Sequence, residues 1–267
     1  MKIGCIGCGM MGSIILEGIL KAGYTKPGNL IASARSEKTR ISVQERFGIE
    51  VTDSNIQVAE ASDVIIVAVR PADFMSVVGS LADHITSRKI IISIASGITT
   101  DMIAELFPTE LPSIIRINPN TPCMTRHGLS LIHTHENADE QAVKTAESIF
   151  QCLGEVSYIS ENLFDIATAV TGCSPAYVYM FIEAMADAAV EWGFPRKQAY
   201  QIIAQAVLGS ACMVLETGKH PGELKDMVCS PGGTTILGVK ALENNAFRGA
   251  IIEAISAVME KTIASKK

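Results

Sequence analysis

The chain has no basic stripe, no second cysteine pair to accompany Cys5-x-x-Cys8, no recognisable metal-ligand cluster and no continuous apolar run long enough to cross a bilayer. Each absence removes a class of protein. With 22 Lys+Arg against 28 Asp+Glu the formal net charge is −6, so the cationic footprint of a nucleic-acid-binding protein is missing. No membrane span is expected. The apolar N-terminus has the length of a secretory leader, but its regularly placed glycines and Glu17 argue against one. The seven cysteines, at 5, 8, 123, 152, 173, 212 and 229, are odd in number and irregular in spacing, which suits reduced thiols in a cytoplasmic protein better than a disulfide framework. Cys5 and Cys8 fall within a strand and a glycine turn and read as packing residues, with redox or zinc chemistry as the alternative. No internal repeat, low-complexity tract, long linker or Ser/His/Asp triad is evident. His133-x-His135 reads as a polar strand end, since no acidic or thiol ligand is recognisably placed to join it.

What is present is enough for one or two substantial cores: 267 residues, 48% of them hydrophobic. The most informative stretch is the beginning. The apolar run Lys2 to Ile6 ends in Gly7, Gly9 and Gly12, spaced G-x-G-x-x-G, and a helical pattern from Ser13 to Ala22 follows and stops at Gly23. Strand, glycine turn and helix in that order suit a dinucleotide pyrophosphate. Gly7 permits the tight turn, Gly9 lets the backbone approach the phosphates, and Gly12 lets helix and strand pack closely. The helix N-terminus offers N–H groups to the anion.

Asn29 to Ser33 reads as the second strand. An acid at its end, roughly twenty positions past the glycines, would bind the ribose hydroxyls of NAD. This chain has Ser33-Ala34-Arg35-Ser36 there instead. Two hydroxyls and a guanidinium suit a 2′-phosphate, so NADPH is expected, with NADH less preferred; an ordinary polar loop is the other reading. A helix over 37–47 stops at Gly48, and a short strand lies near 49–51. The runs 63–69, 89–94 and 113–117 read as buried parallel strands. They end in Arg70-Pro71, Ala95-Ser96-Gly97 and Asn118 to Pro122. Of these, Arg70-Pro71, Ala95-Ser96-Gly97 and Asn120-Thr121-Pro122 should line the nicotinamide end of the cleft, with ordinary strand-terminating loops as the other reading. Segments 128–133 and 155–159, with a helix at 138–152 between them, extend the sheet. The full expected cofactor set is Ile6, Gly7, Cys8, Gly9, Met10, Met11, Gly12, Ser33, Arg35, Ser36, Asn55, Ala68, Val69, Arg70, Pro71, Ala95, Ser96 and Asn120.

From about Glu161 no strand pattern remains. The fold class expected is therefore an α/β, Rossmann-type doubly wound sheet over 1–160 followed by an all-α domain over 161–267. Ser174-Pro175 reads as the N-cap and first residue of a helix running to Trp192 and stopping at Gly193. Its charges, Glu183, Asp187 and Glu191, form one narrow stripe and the rest is apolar. Such a helix must be buried, and a partner subunit is the economical cover. A helix over about 196–217 carries Ala199, Ala204, Ala206, Gly209 and Ala211, small residues suited to close packing. Asn244-Asn245 separates the last two helices. Between them and the small-residue helix, Ser230-Pro231-Gly232-Gly233-Thr234-Thr235 is again a glycine turn opening a helix. It reads either as an anion site, here for a carboxylate, or as a plain capped turn.

Along essentially its whole length the chain resembles the pyrroline-5-carboxylate reductase family. The matching segments are Ile6 to Gly12, Ala68-Val69-Arg70-Pro71, Asn118 to Pro122, Pro175-Ala176-Tyr177, Phe247-Arg248 beside Gly249, and above all His220 to Ile236. The resemblance implies a Rossmann domain followed by a helical dimerisation domain, in interlocked homodimers that often assemble as five dimers. It implies an active site between one subunit's cofactor domain and helical elements that include the partner's. The implied reaction is hydride transfer to the C=N carbon of a cyclic imino acid, giving L-proline. Ser230, Gly232, Gly233, Thr234 and Thr235 would then hold the substrate, with Thr235 at the ring nitrogen as the catalytic contact. The chain departs from the family's usual Ser-Gly-Ser-Gly-Pro, having Thr171-Gly172-Cys173-Ser174-Pro175, and carries Arg70 where a lysine is commoner. Two rival readings remain. One is a β-hydroxyacid dehydrogenase using Lys225; the other is a regulator that senses NADP without turnover and needs no substrate turn.

Overall fold

The computed structural model describes residues 1–264; positions 265–267 of the expected helical domain lie outside the described residues. The chain divides into two compact units, with the boundary between Gly172 and Cys173.

The first unit is built on one eight-stranded sheet in the order β3-β2-β1-β4-β5-β6-β7-β8. Its strands are β1 (Ile3–Ile6), β2 (Leu30–Ser33), β3 (Glu50–Thr52), β4 (Val64–Val67), β5 (Ile90–Ser93), β6 (Ser113–Pro119), β7 (Gly128–Thr134) and β8 (Gly154–Tyr158). The first six are parallel. β7 runs antiparallel to β6, and β8 parallel to β7. Each central strand is buried on both faces, and its residues alternate between two cores. Ile3, Cys5, Val64 and Ile66 face one; Ile6, Ile65 and Val67 face the other. That is why these strands read as unbroken apolar runs rather than as alternating ones.

The helices of this unit are α1 (Met10–Lys21), α2 (Glu37–Phe47), α3 (Asn55–Ala61), α4 (Pro71–Gly79), α5 (Thr100–Ala104) and α6 (Glu140–Gln151). Helix α1 starts earlier than the sequence pattern indicates, because the glycine turn itself supplies the N-cap, Gly9. Helix α2 matches its expected span: Ser36 caps it by accepting from the Thr39 N–H, and Gly48 ends it at φ 64°.

Helix α7 spans Glu161–Glu191 without interruption, with Pro175 inside it. The expected helix start at Ser174-Pro175 is therefore wrong, although the Ser-Pro signal is a good one locally. A proline inside a helix leaves the carbonyl four residues back without its donor. Here that carbonyl belongs to Thr171, and the Asn120 Nδ2 donates to it at 3.2 Å. The orphan is satisfied from the sheet, and the helix runs through. Ser174 accordingly lies in ordinary helical backbone, so its place in the glycine position of the related pattern demands no special conformation.

Helix α7 ends in the second unit, which continues with α8 (Arg196–Thr217), α9 (Pro221–Met227), α10 (Thr234–Asn244) and α11 (Phe247–Ala264). Its own core is small: Ala186, Ala199 and Ile203 are the buried hydrophobics, with Ile182, Ala189 and Val207 packed beside them. Tyr179, Met180, Phe181 and Met185 of α7 are exposed, as are Ile202, Leu208 and Leu215 of α8. Helix α8 also has the length, 22 residues, and the mean hydropathy, 1.3, to cross a membrane by composition alone. It contains no continuous apolar run of that length, because three glutamines, Ser210 and Tyr200 punctuate its apolar residues without adding charge.

Candidate functional site

The loops leaving the carboxyl ends of β1, β2 and β4 meet where the strand order reverses, at the β1–β4 pair. They enclose a cleft of about 470 Å³. Gly7 turns the chain there at φ +95°, and the N–H groups of Gly7 and Cys8 both donate to the Ser33 carbonyl, at 3.1 and 3.2 Å. A Cβ on Gly12 would lie 2.3 Å from the Gly7 oxygen, whereas one on Gly9 would meet nothing within 4 Å. The three glycines thus do different work: Gly7 makes the turn, Gly12 admits the helix, and Gly9 presents bare backbone to open space. Helix α1 has no side-chain cap at its N-terminus, so the N–H groups of its first turn are available to an anion. The donors and the cradle fit a pyrophosphate.

At the end of β2 the side chains divide the work differently from the simple reading of two hydroxyls and a guanidinium. Ser33 is buried, and its hydroxyl donates to Asn55 Oδ1 at 2.6 Å. This bond fixes Asn55 at the start of α3. Ser36 caps α2 and shares a 2.7 Å hydrogen bond with the Thr39 hydroxyl. Arg35 extends into solvent and reaches Asp73 Oδ2 at 3.4 Å. Arg40, which the sequence did not single out, pins the loop by donating from Nη1 to the Ala34 and Arg35 carbonyls at 3.0 and 2.9 Å.

Ala68, Val69 and Arg70 line the same cleft. Ile6 is fully buried at the end of β1, and its carbonyl accepts from Ala68 N–H at 2.8 Å. Met10 is exposed and Met11 packs partly against the core. Pro71, Ala95, Ser96 and Asn120 are not among the residues lining this cleft. Pro71 opens α4, Ala95 is buried beyond β5, and Ser96 is exposed. Both ends of the Asn120 amide are engaged, one with Thr171 and the other accepting from Leu129 N–H at 2.9 Å. Cys5 and Cys8 sit under the turn. Their mutual hydrogen bond, together with burial, pushes the Cys5 thiol well up; the same hydrogen bond lowers that of Cys8 against the opposing effect of burial.

Arg116 also escaped the sequence reading, as did the engagement of Asn118 and Asn120 with α7. Arg116 and Asn118 of β6, and Asn120 in extended backbone just past its end, alternate and share a face, as period-two geometry requires. Arg116, 2% exposed, pairs with Glu161 and lies 3.8 Å from Asp165, with its guanidinium 4.0 Å from the Phe164 ring centre. Asn118 donates to the Thr168 hydroxyl at 3.0 Å, and Asn120 to Thr171. Glu161 also lies 3.4 Å from His133 Nε2. Three successive rungs therefore bind the first turns of α7 to the sheet. The sequence signal was present: polar residues at every second position interrupt an otherwise apolar strand.

In the second unit, Ser230-Pro231-Gly232-Gly233 forms a tight turn. Gly233 N–H donates to the Ser230 carbonyl at 3.0 Å, and Gly232 adopts φ +71°. Proline second and a positive-φ glycine third are what a type II turn needs. Gly233 is the N-cap of α10 and contributes no side-chain bond. Ser230, Thr234 and Thr235 are exposed, and no hydrogen bond to the chain engages either threonine hydroxyl among the described residues. The turn therefore displays uncapped N–H groups and two open hydroxyls, donors suited to a carboxylate.

A larger recess, about 880 Å³, lies at the amino ends of the strands and is lined by Tyr24, Lys26 and Phe47 among others. It contains none of the candidate residues, and in open α/β sheets ligands bind at the opposite, carboxyl ends.

A doubly wound sheet with a dinucleotide cleft at its switch point, continued by an all-helical unit, defines a two-domain dinucleotide-dependent oxidoreductase. The comparisons narrow the class. A family model described as pyrroline-5-carboxylate reductase dimerisation matches residues 161–264, and one described as NADP oxidoreductase, coenzyme F420-dependent, matches residues 2–97. The chain is 44% identical to the pyrroline-5-carboxylate reductase of Escherichia coli, over 98% of this chain and 97% of that protein. It is 41% identical to that of Methanosarcina acetivorans, over 98% and 96%. The crystal structure of Plasmodium falciparum pyrroline carboxylate reductase with NADP bound superposes with a TM-score of 0.89 at 34% identity, covering 100% of this chain and 98% of that one. The chain belongs to the pyrroline-5-carboxylate reductase family.

Proposed function

We propose that this protein reduces L-1-pyrroline-5-carboxylate to L-proline, the last step of proline biosynthesis, using NADPH in preference to NADH. The observation that carries the reading is that one chain, 44% identical over nearly its whole length to a named pyrroline-5-carboxylate reductase, joins a dinucleotide cleft with an uncapped turn of carboxylate-binding character. Bound at the first site, the dinucleotide supplies the hydride. The N–H groups left open in the Ser230–Thr235 turn, Pro231 having none and that of Gly233 being spent on the Ser230 carbonyl, hold the substrate carboxylate, and the Thr235 hydroxyl meets the ring nitrogen. Hydride adds to the C=N carbon, and the nitrogen retains its proton as the iminium becomes a neutral amine. The expected cofactor set supports this reading through Gly7 to Gly12, Arg35, Ser36, Asn55 and Ala68 to Arg70. We read residues 1–160 as the cofactor domain and the chain from 161 onward as the helical domain, although the compact units divide a little later, between Gly172 and Cys173. A steady-state assay with NADPH and pyrroline-5-carboxylate tests the reading. NADPH oxidation that depends on the imino acid and yields proline supports it; no turnover overturns it and favours a cofactor sensor.

Cofactor choice follows from Arg35. Arg35→Asp places a carboxylate where the 2′-phosphate should bind, so the KM for NADPH should rise at least tenfold while that for NADH holds or falls. Equal responses to both cofactors would remove Arg35 from the phosphate site.

The exposed apolar faces of α7 and α8 call for a partner. We read the protein as an interlocked homodimer, and five such dimers as a decamer, in the cytoplasm, where its seven free cysteines stay reduced. Light scattering should find a dimer or a multiple of it at micromolar concentration; a stable, active monomer would contradict this.

A further inference from the structure

The acid missing from the end of β2 is supplied in space by another element. Asp73, in the first turn of α4, lines the dinucleotide cleft. One of its oxygens, Oδ2, takes both neighbouring cations: Arg35 Nη2 at 3.4 Å and Arg70 Nε at 3.0 Å. The side chain of Asp73 is 29% exposed, against 83% for Arg35 and 72% for Arg70. The carboxylate is therefore held against the protein, while the two guanidiniums reach over it from solvent. Arg40 of α2, the other cation beside the 34–36 loop, is turned toward backbone carbonyls.

We infer that Asp73 is a specificity-determining residue, which acts through Arg35 to limit the preference for NADPH over NADH. This rests on the cofactor reading above. A 2′-phosphate needs Arg35, and to obtain it must displace the guanidinium from Asp73 Oδ2. It must also bring its negative charge close to a carboxylate that stays in place at the start of a helix, where the dipole favours an acid. NADH makes no such demand, because its 2′-hydroxyl is neutral and leaves the Arg35–Asp73 pair intact. The cost thus falls on one cofactor alone. As this ion pair is solvent-accessible, the cost is modest and screened by salt. The chain consequently keeps NADH within reach despite having no acid on β2.

The test is a cycle of Asp73→Asn, Arg35→Gln and the double variant, each assayed with both cofactors at low and high salt, with direct NADPH titration by fluorescence and a thermal melt. Asparagine keeps the size and helix-start character of the side chain and removes the charge. With Asp73→Asn the ratio of kcat/KM for NADPH to that for NADH should rise roughly two- to fivefold at low salt. The rise should shrink at high salt and vanish when Arg35 is already glutamine. A purely structural role for Asp73 would weaken both cofactors together and lower the melting temperature. An unchanged or lowered ratio overturns the inference, as does a rise that persists in the Arg35→Gln background. A wild-type protein that binds NADPH no better than NADH overturns the cofactor reading itself, and the inference with it. If the wild type prefers NADPH and Asp73→Asn leaves the ratio alone, only the inference fails.

Discussion

Gly12→Ala should lose NADPH affinity by about a hundredfold, the scale expected when binding groups are misplaced by about 1 Å. The new methyl would lie 2.3 Å from the Gly7 oxygen and 3.2 Å from Cys5 Sγ. Neither can yield. Gly7 and Cys8 are tied to the Ser33 carbonyl, and the Cβ direction of Gly7 is closed by the Ala68 oxygen at 2.8 Å. Helix α1 must therefore move off the turn, and its first N–H groups move with it. Overpacking of this kind also costs about 1–3 kcal/mol of stability, so a thermal melt should fall by several degrees. Gly9→Ala is the control, because a Cβ there meets nothing within 4 Å. It should melt like the wild type while still losing the cofactor, since the methyl occupies the space into which the phosphates come. Normal NADPH titration of Gly12→Ala would show that close packing of helix on turn does not place the anion site.

The second large effect is expected at Thr235. Thr235→Val keeps the shape and removes the hydroxyl, which has no partner among the described residues to leave unsatisfied. Folding and NADPH binding should therefore survive. If the hydroxyl bonds the ring nitrogen more strongly as charge redistributes in the transition state, kcat should fall. A hydrogen bond to a partly charged group is worth about 1.5–3 kcal/mol, or roughly one to two orders of magnitude in rate. A raised KM at constant kcat would instead place the hydroxyl on the carboxylate. No change in either would exclude Thr235 and direct attention to Thr234 or Ser230.

Both predictions start from glycine turns that open helices, and both turns were readable without coordinates. Periodicity and punctuation are local properties. Unbroken apolar runs marked the buried parallel strands, Gly7 to Gly12 marked the glycine turn that opens α1, and Gly48 marked the end of α2. The loss of strand pattern after Glu161 marked the change from sheet to helices, because a residue's burial on one or two faces is written into its immediate neighbours.

What tertiary structure decided were the matters that depend on partners distant in the chain. Ser174-Pro175 carries every local sign of a helix start, yet α7 passes through it because Asn120, 51 residues before Thr171, supplies to the Thr171 carbonyl the donor the proline lacks. Ser33 looks like a phosphate ligand until its hydroxyl is found bonded to Asn55, 22 residues on. Arg35 stands alone in the sequence but shares Asp73 with Arg70, across 38 residues. Arg116 appears as a stray charge in an apolar strand until Glu161 and Phe164 fold over it. Sequence by itself determined the strands, most of the helices, the two-part plan and the two glycine turns that open helices, since these follow from backbone periods and glycine conformations. Which polar side chains are consumed in holding elements together, and which remain to meet a ligand, was settled only by the fold, because a hydrogen bond is satisfied by proximity in space and carries no mark in the local sequence.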